Sequence, residues 1–253
     1  MTRVIAVTNQ KGGVGKTTTA VNLAACLAEA GFEVLLVDMD PQANASAGLG
    51  VRAVDPRVTS YGLLGGATSL GEATVRTAVE HLWLLPACPD LAGAVVELAG
   101  ADDNDFVLDY ALSARLDAYD FVFIDCPPSL GVLTINSLVA AREVLIPVQS
   151  EYYALEGLAQ LLETVALVQE HLNPELGILG VVVTMYDGRT RLGREVAGEV
   201  RENLPQHVFQ TVIPRNVRLS EAPSHGLPIS RYDATCAGSD AYFDLAKEVV
   251  SRD

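Results

Sequence analysis

The chain has 253 residues, 49% of them apolar and 19% charged, a length and composition that suit one α/β unit built around a substantial core. Its apolar runs, such as Ile178 to Val183 around Gly180, stop far short of the ~20 residues that span a bilayer, and no charged leader or small-residue cleavage site precedes the first apolar run, Val4 to Val7. A membrane-spanning or secreted protein is therefore not expected and a cytoplasmic one is, while the formal charge of −15 counts against a nucleic-acid partner until its distribution is considered.

In chain order, short runs rich in Val, Ile and Leu alternate with helical patterns: RVIAVTN, then a helix to about Glu29 closed by Gly31, then EVLLVD, HLWLLPA, DFVFID, EVLIPV and LGILGVVVTM. Runs this apolar on both faces predict strands of a parallel sheet covered by helices, so the expected fold class is α/β, doubly wound, with a mostly parallel sheet. Val51 to Thr74, rich in Gly, Ser and Thr, is expected to be irregular. A long helix is predicted from near Tyr153 to Asn173-Pro174. A last one, Ser239 to about Ser251, places Ala241, Tyr242, Leu245, Ala246, Val249 and Val250 on a stripe facing the sheet. Cys26, Cys88, Cys126 and Cys236 show no CxxC spacing and are expected to be reduced and structural.

The charge is unevenly spread. Arg189, Arg191, Arg194, Arg201, Arg215, Arg218 and Arg231 face only four glutamates between positions 189 and 231, a net +3 that leaves −18 on the remainder. Such polarisation allows an anionic partner on one face and a basic partner on another.

The stretch NQKGGVGKTTTA, Asn9 to Ala20, follows the first strand and opens a helix, the context of a phosphate-binding loop. Backbone amides of Gly12, Gly13, Val14 and Gly15 can converge on phosphate oxygens, with the helix N-terminus behind them. Lys16 is placed to reach the β and γ phosphates, Thr17 to offer a hydroxyl to Mg²⁺, and Thr18 to bond the α phosphate. The usual GxxxxGK[ST] pattern fails at its first glycine, which is Gln10, and Lys11 stands next to it. The carboxylates that complete such a site lie at predicted strand ends: Asp38 and Asp40 in VLLVDMDPQAN, and Asp125 in DFVFIDCPPSL. Mg²⁺ keeps several waters and takes one or two carboxylates, a role that suits Asp125 as a water-mediated holder.

KGGVGKTT resembles the deviant Walker A motif of the ParA/MinD group of P-loop ATPases. DPQANAS, DCPPSLG, PVQSEYYALEGL, VTMYDGRT and IPRNVRLSEAPSHGLPI extend the resemblance over nearly the whole chain, to the short Soj-like chromosome-partitioning type. The resemblance implies one P-loop ATPase domain over residues 1–253, without the N-terminal DNA-binding extension of longer plasmid relatives. It implies that Lys11 acts in trans on the nucleotide of a second subunit, that Asp40 orients or activates the attacking water, and that Asp38 lies near the metal. Adenine contact falls to Pro214 and Asn216. Non-specific double-stranded DNA binding by an ATP-bound homodimer falls to Arg189 and Arg218, with Arg191, Arg194 and Arg215 as neighbours. Expected cofactors are ATP and Mg²⁺, and the expected activator is a ParB-type protein acting through a basic N-terminal tail on a weak intrinsic ATPase. Such a protein works at the nucleoid.

Three alternatives use the same loop. A MinD-like membrane-associated ATPase needs a basic amphipathic C-terminal helix, whereas this chain ends LAKEVVSRD within its packing helix. An iron protein of the nitrogenase type needs cluster-bridging cysteines, and the surroundings of Cys88 and Cys126 do not match. A metabolic enzyme of the dethiobiotin synthetase kind needs a second-substrate motif that is not seen.

Overall fold

The computed structural model describes residues 2–98, 104–151 and 154–252. These form an eight-stranded sheet from β1 (Arg3–Val7), β2 (Val34–Asp38), β3 (Val75–Arg76), β4 (Leu82–Leu85), β5 (Phe121–Asp125), β6 (Glu143–Gln149), β7 (Gly177–Tyr186) and β8 (Val208–Pro214), in the order β3-β4-β2-β5-β1-β6-β7-β8. All pairings are parallel except that of the two-residue β3 with β4. The chain runs outward from β1 to β2 and β4, returns through β5, and then builds the other side through β6, β7 and β8. Its crevice therefore opens at the C-terminal ends of the central strands, the place where such sheets bind ligands.

The apolar strand runs have a direct cause. All five residues of β5 are buried, with Val122 and Ile124 packed into one core layer and Phe121 and Phe123 into the other. β2 divides in the same way, Leu35 and Val37 against Val34 and Leu36. On the first face lie the helices Leu91–Leu98, Val107–Ser113, Val132–Ala140 and Ala154–His171; on the second lie α1 (Lys16–Glu29) and the C-terminal helix Ala237–Ser251. Each buried Leu, Ile or Phe in these layers contributes roughly 1.5–3 kcal/mol from surface removed from water. Tyr242 ties the last helix to α1 through its hydroxyl, 3.2 Å from Thr19 Oγ1.

Several expectations need correction. Val51 to Thr74 is not irregular throughout: it holds a 3-10 turn at Pro56–Val58 and short helices at Ser60–Leu64 and Leu70–Ala73, the last capped at its N-terminus by a Ser69–Glu72 capping box. In the final helix Val250 is exposed and leaves the apolar stripe, while Tyr242, Leu245, Ala246 and Val249 are buried beside Phe209 and Ile213 of β8. Its Glu248 accepts from the backbone N–H groups of Gln210 and Thr211, covering donors of the outermost strand. β3 and β8 are absent from the six apolar runs read as strands: β3 is too short, and Gln210 and Thr211 break the apolar pattern of β8. The predicted start near Tyr153 lies outside the described residues; the helix is described from Ala154. Gly31 does close α1, at φ +94, donating to Ala28 O.

Candidate functional site

The phosphate loop is built by tethers from neighbouring strands. Asn9 Nδ2 donates to Pro147 O on β6 at 2.8 Å, and Asn9 Oδ1 accepts from Lys11 N at 3.0 Å. Thr184 Oγ1 on β7 donates to Val14 O at 2.7 Å. Gly13 and Gly15 have φ values of +75 and +88, left-handed conformations that side chains with a Cβ resist. Gly15 then delivers the chain into α1, whose first residue is Lys16. A Cβ on Gly15 meets nothing nearer than Thr184 at 3.9 Å, whereas Gly12 has neither a left-handed φ nor a neighbour within 4 Å. Gly15→Ala should therefore cost about 1–2 kcal/mol by backbone strain alone, and Gly12→Ala should be close to neutral in stability. Urea unfolding of the two variants separates them; equal losses would contradict this account of the loop.

Lys16 is buried, its ammonium donating to Lys11 O at 3.1 Å. Burial pushes its pKa down, against the opposing pull of Asp125 and Asp40. Lys11 points away from its own loop: Nζ lies 3.0 Å from Glu151 Oε2.

The three aspartates come together through sheet register. Asp38 stands opposite Asp125 across β2 and β5, and Val7, from which the loop departs, stands opposite Asp125 on the other side. Their environments differ. Asp38 is fully buried and saturated: Oδ2 accepts from Ser46 N at 2.8 Å and Ser46 Oγ at 2.7 Å, and Oδ1 from Asp40 N at 3.2 Å. Burial nonetheless raises it to about 6. Asp40 uses one oxygen to accept from Gln42 N at 2.9 Å and lines the cleft. Asp125 is fully buried, and neither of its carboxylate oxygens has a partner among the described residues. Its pKa is pushed well above the usual carboxylate range, first by burial and then by the charge of Asp38, with the nearby Thr17 hydroxyl and the Lys16 ammonium opposing the shift.

A buried carboxylate without a well-formed hydrogen bond is costly and calls for a compensating cation. Lys16 is one; a divalent ion beside Thr17 is the other group this donor set fits, since hard oxygen ligands suit magnesium. The cleft beside it encloses about 510 Å³ and is lined by Gly12, Gly13, Gly15, Lys16, Thr17 and Thr18 of the loop, with Asp40 on one wall. A second recess of about 240 Å³ contains Pro214 and Asn216 and shares Gly15, Thr18, Met185 and Pro223 with the first. The two recesses together suit an extended ligand with a polyanionic end and a flat end. Met185 holds φ +50 where both meet, a strained conformation of the kind that gathers at binding sites.

Asn9, Thr184, Ser46 and Met185 escaped the sequence reading. All four sit inside the quoted stretches NQKGGVGKTTTA, DPQANAS and VTMYDGRT, but those stretches do not show what they do: Asn9 and Thr184 tether the loop through Pro147 and Val14, Ser46 bonds Asp38, and the positive φ of Met185 belongs to the folded backbone. Gln42, Asn44 and Pro128 also line the cleft and sit inside the quoted motifs DPQAN and DCPP, which carried a signal for them.

Arg189, Arg191, Arg194, Arg215 and Arg218 are each exposed, and Arg215 also lines the second recess. Arg189 makes a two-pronged pair with Asp187, at 2.9 and 2.8 Å. Arg191 pairs with Glu195 at 2.6 Å, and Arg218 with Glu221 at 2.9 Å and Asp233 at 3.3 Å. Arg194 donates to Gly188 O. Arg194 and Arg215 have no carboxylate within salt-bridge distance among the described residues.

Residues 2–178 match the family model of an AAA domain. The sporulation initiation inhibitor protein Soj of Bacillus subtilis is 55% identical over 251 residues, covering 99% of both chains. The chromosome-partitioning ATPase Soj of Treponema pallidum is 53% identical, covering 100% of this chain and 99% of its own. Among solved structures, cobyrinic acid a,c-diamide synthase from Mycobacterium smegmatis with bound ADP and magnesium superposes with a TM-score of 0.85 at 40% identity, covering 98% of this chain and 93% of that one.

Proposed function

The chain belongs to the ParA/Soj family of P-loop ATPases, and from that membership and the site geometry we infer a magnesium-dependent ATPase that partitions chromosomes or plasmids. The observation that carries the reading is Asp125, a buried carboxylate without a well-formed hydrogen bond among the described residues, beside a glycine loop that ends in Lys16. Residues 1–253 act as one ATPase domain in this reading.

When bound, Mg²⁺ neutralises phosphate charge and withdraws electrons from the γ phosphorus. Thr17 and, through water, Asp125, Asp38 and Asp40 are the residues that would hold it. The loop amides of Gly12 to Gly15 and the Lys16 ammonium bind the phosphate chain and stabilise the charge that builds up as the γ-phosphoryl group is transferred. Thr18 contacts the α phosphate, and Pro214 with Asn216 the adenine. Asp40, at the cleft wall, orients the attacking water. The new bond joins water oxygen to the γ phosphorus, the bond to the bridging oxygen breaks, and ADP and phosphate leave. Lys11 serves the nucleotide of a second subunit, so the ATP-bound state is a homodimer.

Pairing doubles the arginine face of Arg189, Arg218, Arg191, Arg194 and Arg215, so DNA affinity rises with dimerisation through counterion release and effective concentration. Hydrolysis returns the protein to monomers and releases it from the nucleoid. A slow intrinsic rate, accelerated by the basic tail of a ParB-type partner, makes the cycle a timer; the strongly acidic remainder of the chain is a complementary surface for such a tail.

The experiment is a double-stranded DNA-binding assay with ATP, ADP and no nucleotide across a salt series. Binding confined to ATP and falling steeply with salt is expected, and equal binding in all three states would refute the cycle. Asp40→Ala should give an ATP dimer that stays on DNA, with turnover reduced about a hundredfold or more. A variant that dissociates as fast as wild type would remove the role given to Asp40.

A further inference from the structure

Lys11 is not a free lysine waiting for a partner. Its ammonium sits 3.0 Å from Glu151 Oε2, and the other oxygen of the same carboxylate accepts from Gln149 Nε2 at 2.6 Å, which fixes the carboxylate's orientation at the end of β6. The loop side is equally defined, since Lys11 N is held by Asn9 Oδ1 and Lys11 O accepts from Lys16 Nζ at 3.0 and 3.1 Å. Both cations of the loop are thus engaged inside one subunit. The pair is partly exposed, with 35% of the Lys11 side chain and 47% of the Glu151 side chain accessible, so it is weak enough to exchange.

One ammonium cannot remain on Glu151 and also reach the phosphate of another subunit. We propose that Glu151 is a positioning residue that holds Lys11 in cis and so sets the threshold for ATP-dependent dimerisation. This rests on the reading that Lys11 acts across a dimer. Phosphate entering the cradle competes with Lys11 O for the Lys16 ammonium, which loosens the backbone beneath Lys11 at the moment when its side chain is needed elsewhere. The hold raises the cost of pairing and keeps Lys11 away from its own cleft.

The test is sedimentation equilibrium of the full chain with ATP and magnesium, comparing wild type with Glu151→Gln. Two holds are broken for each dimer formed, so the substitution should lower the dimer Kd by roughly three- to thirtyfold, the range expected for two partly exposed ion pairs. ATP affinity measured at protein concentrations that keep the chain monomeric should change by less than about twofold, because the one loop residue Glu151 holds, Lys11, serves the nucleotide of the other subunit. Glu151→Asp keeps a carboxylate within reach of a flexible lysine and should return the Kd toward wild type. Glu163→Gln, which neutralises an exposed carboxylate on the following helix, should leave it unchanged. Unaltered or weaker dimerisation in Glu151→Gln overturns the proposal, as does equal tightening by Glu163→Gln, which would mean net charge alone is responsible. A wild type that stays monomeric with ATP overturns the dimer reading as well, so the two failures are distinguishable.

Discussion

Replacing Asp125 with Asn should make the protein more stable in the absence of nucleotide while reducing ATP turnover by about a hundredfold or more. The carboxylate is fully buried with both oxygens unpartnered among the described residues, facing Asp38 across the β2–β5 register. An amide of nearly equal volume removes the buried negative charge without opening a cavity. We expect a gain of about 1–3 kcal/mol at pH 8, seen as a rise in Tm of roughly 2–12 °C. The pH dependence follows from the direction of the shift. A carboxyl group with a raised pKa stabilises the fold most below its ordinary value of about 4 and loses that contribution as pH rises through the shifted one. The advantage of the variant should therefore be small near pH 5 and larger near pH 8. Asp38, raised to about 6, adds a decline of the same sign that both proteins share. Magnesium and ATP should reverse the order, raising the Tm of wild type far more than that of the variant. A variant less stable than wild type at pH 8 without nucleotide would show that Asp125 is not the strained group of this site.

Reversing Arg189 and Arg218 to Glu should abolish DNA retention and leave ATP-dependent dimerisation intact. Both arginines are exposed and hold carboxylates of their own chain, Asp187 for the first and Glu221 with Asp233 for the second. These exposed pairs are cheap to exchange for phosphates. Reversal removes cations and adds repulsion at four positions of a dimer, enough to weaken binding by more than about a hundredfold near physiological salt. Substitution by Gln is the gentler form. If each arginine meets one phosphate, it should flatten the plot of log affinity against log salt by about 3 to 4 units per dimer. DNA filter binding and sedimentation of the same samples provide the check. Loss of dimer and DNA binding together would place these arginines in the subunit interface, and unchanged retention would move the DNA site elsewhere.

The phosphate loop was legible because its chemistry is local. Two glycines needing left-handed φ and a lysine opening the helix fall within four consecutive residues, Gly13 to Lys16. The layered sheet was legible for a similar reason, since a strand buried on both faces, as β5 is, must be apolar along its length. Elements whose burial is one-sided escaped. β8 is covered on one side by the last helix and has its Gln210 and Thr211 amides capped by Glu248, so it needs no unbroken apolar run. Val250 belongs by helical spacing to the buried stripe, yet the helix ends at Ser251 and the stripe is buried only as far as Val249.

What the sequence by itself determined is the kind of site: a glycine loop with a helix behind it, acidic residues at strand ends, and an arginine-rich segment within an acidic chain. Only the tertiary structure decided which members of that set are saturated and which are left with unmet demand. Asp38 and Asp125 look alike at the ends of two apolar strands, but Ser46 arrives from the short helix Asn44–Gly48 to satisfy the first, and no group among the described residues forms a well-aligned hydrogen bond to the second. Lys11 and Lys16 lie five positions apart in one loop, but β6 ends beside the first with Glu151, while the second is buried near Asp125 and Asp40. Hydrogen-bond satisfaction and desolvation depend on groups distant along the chain, so they are set by sheet register and packing, which no short stretch of residues encodes.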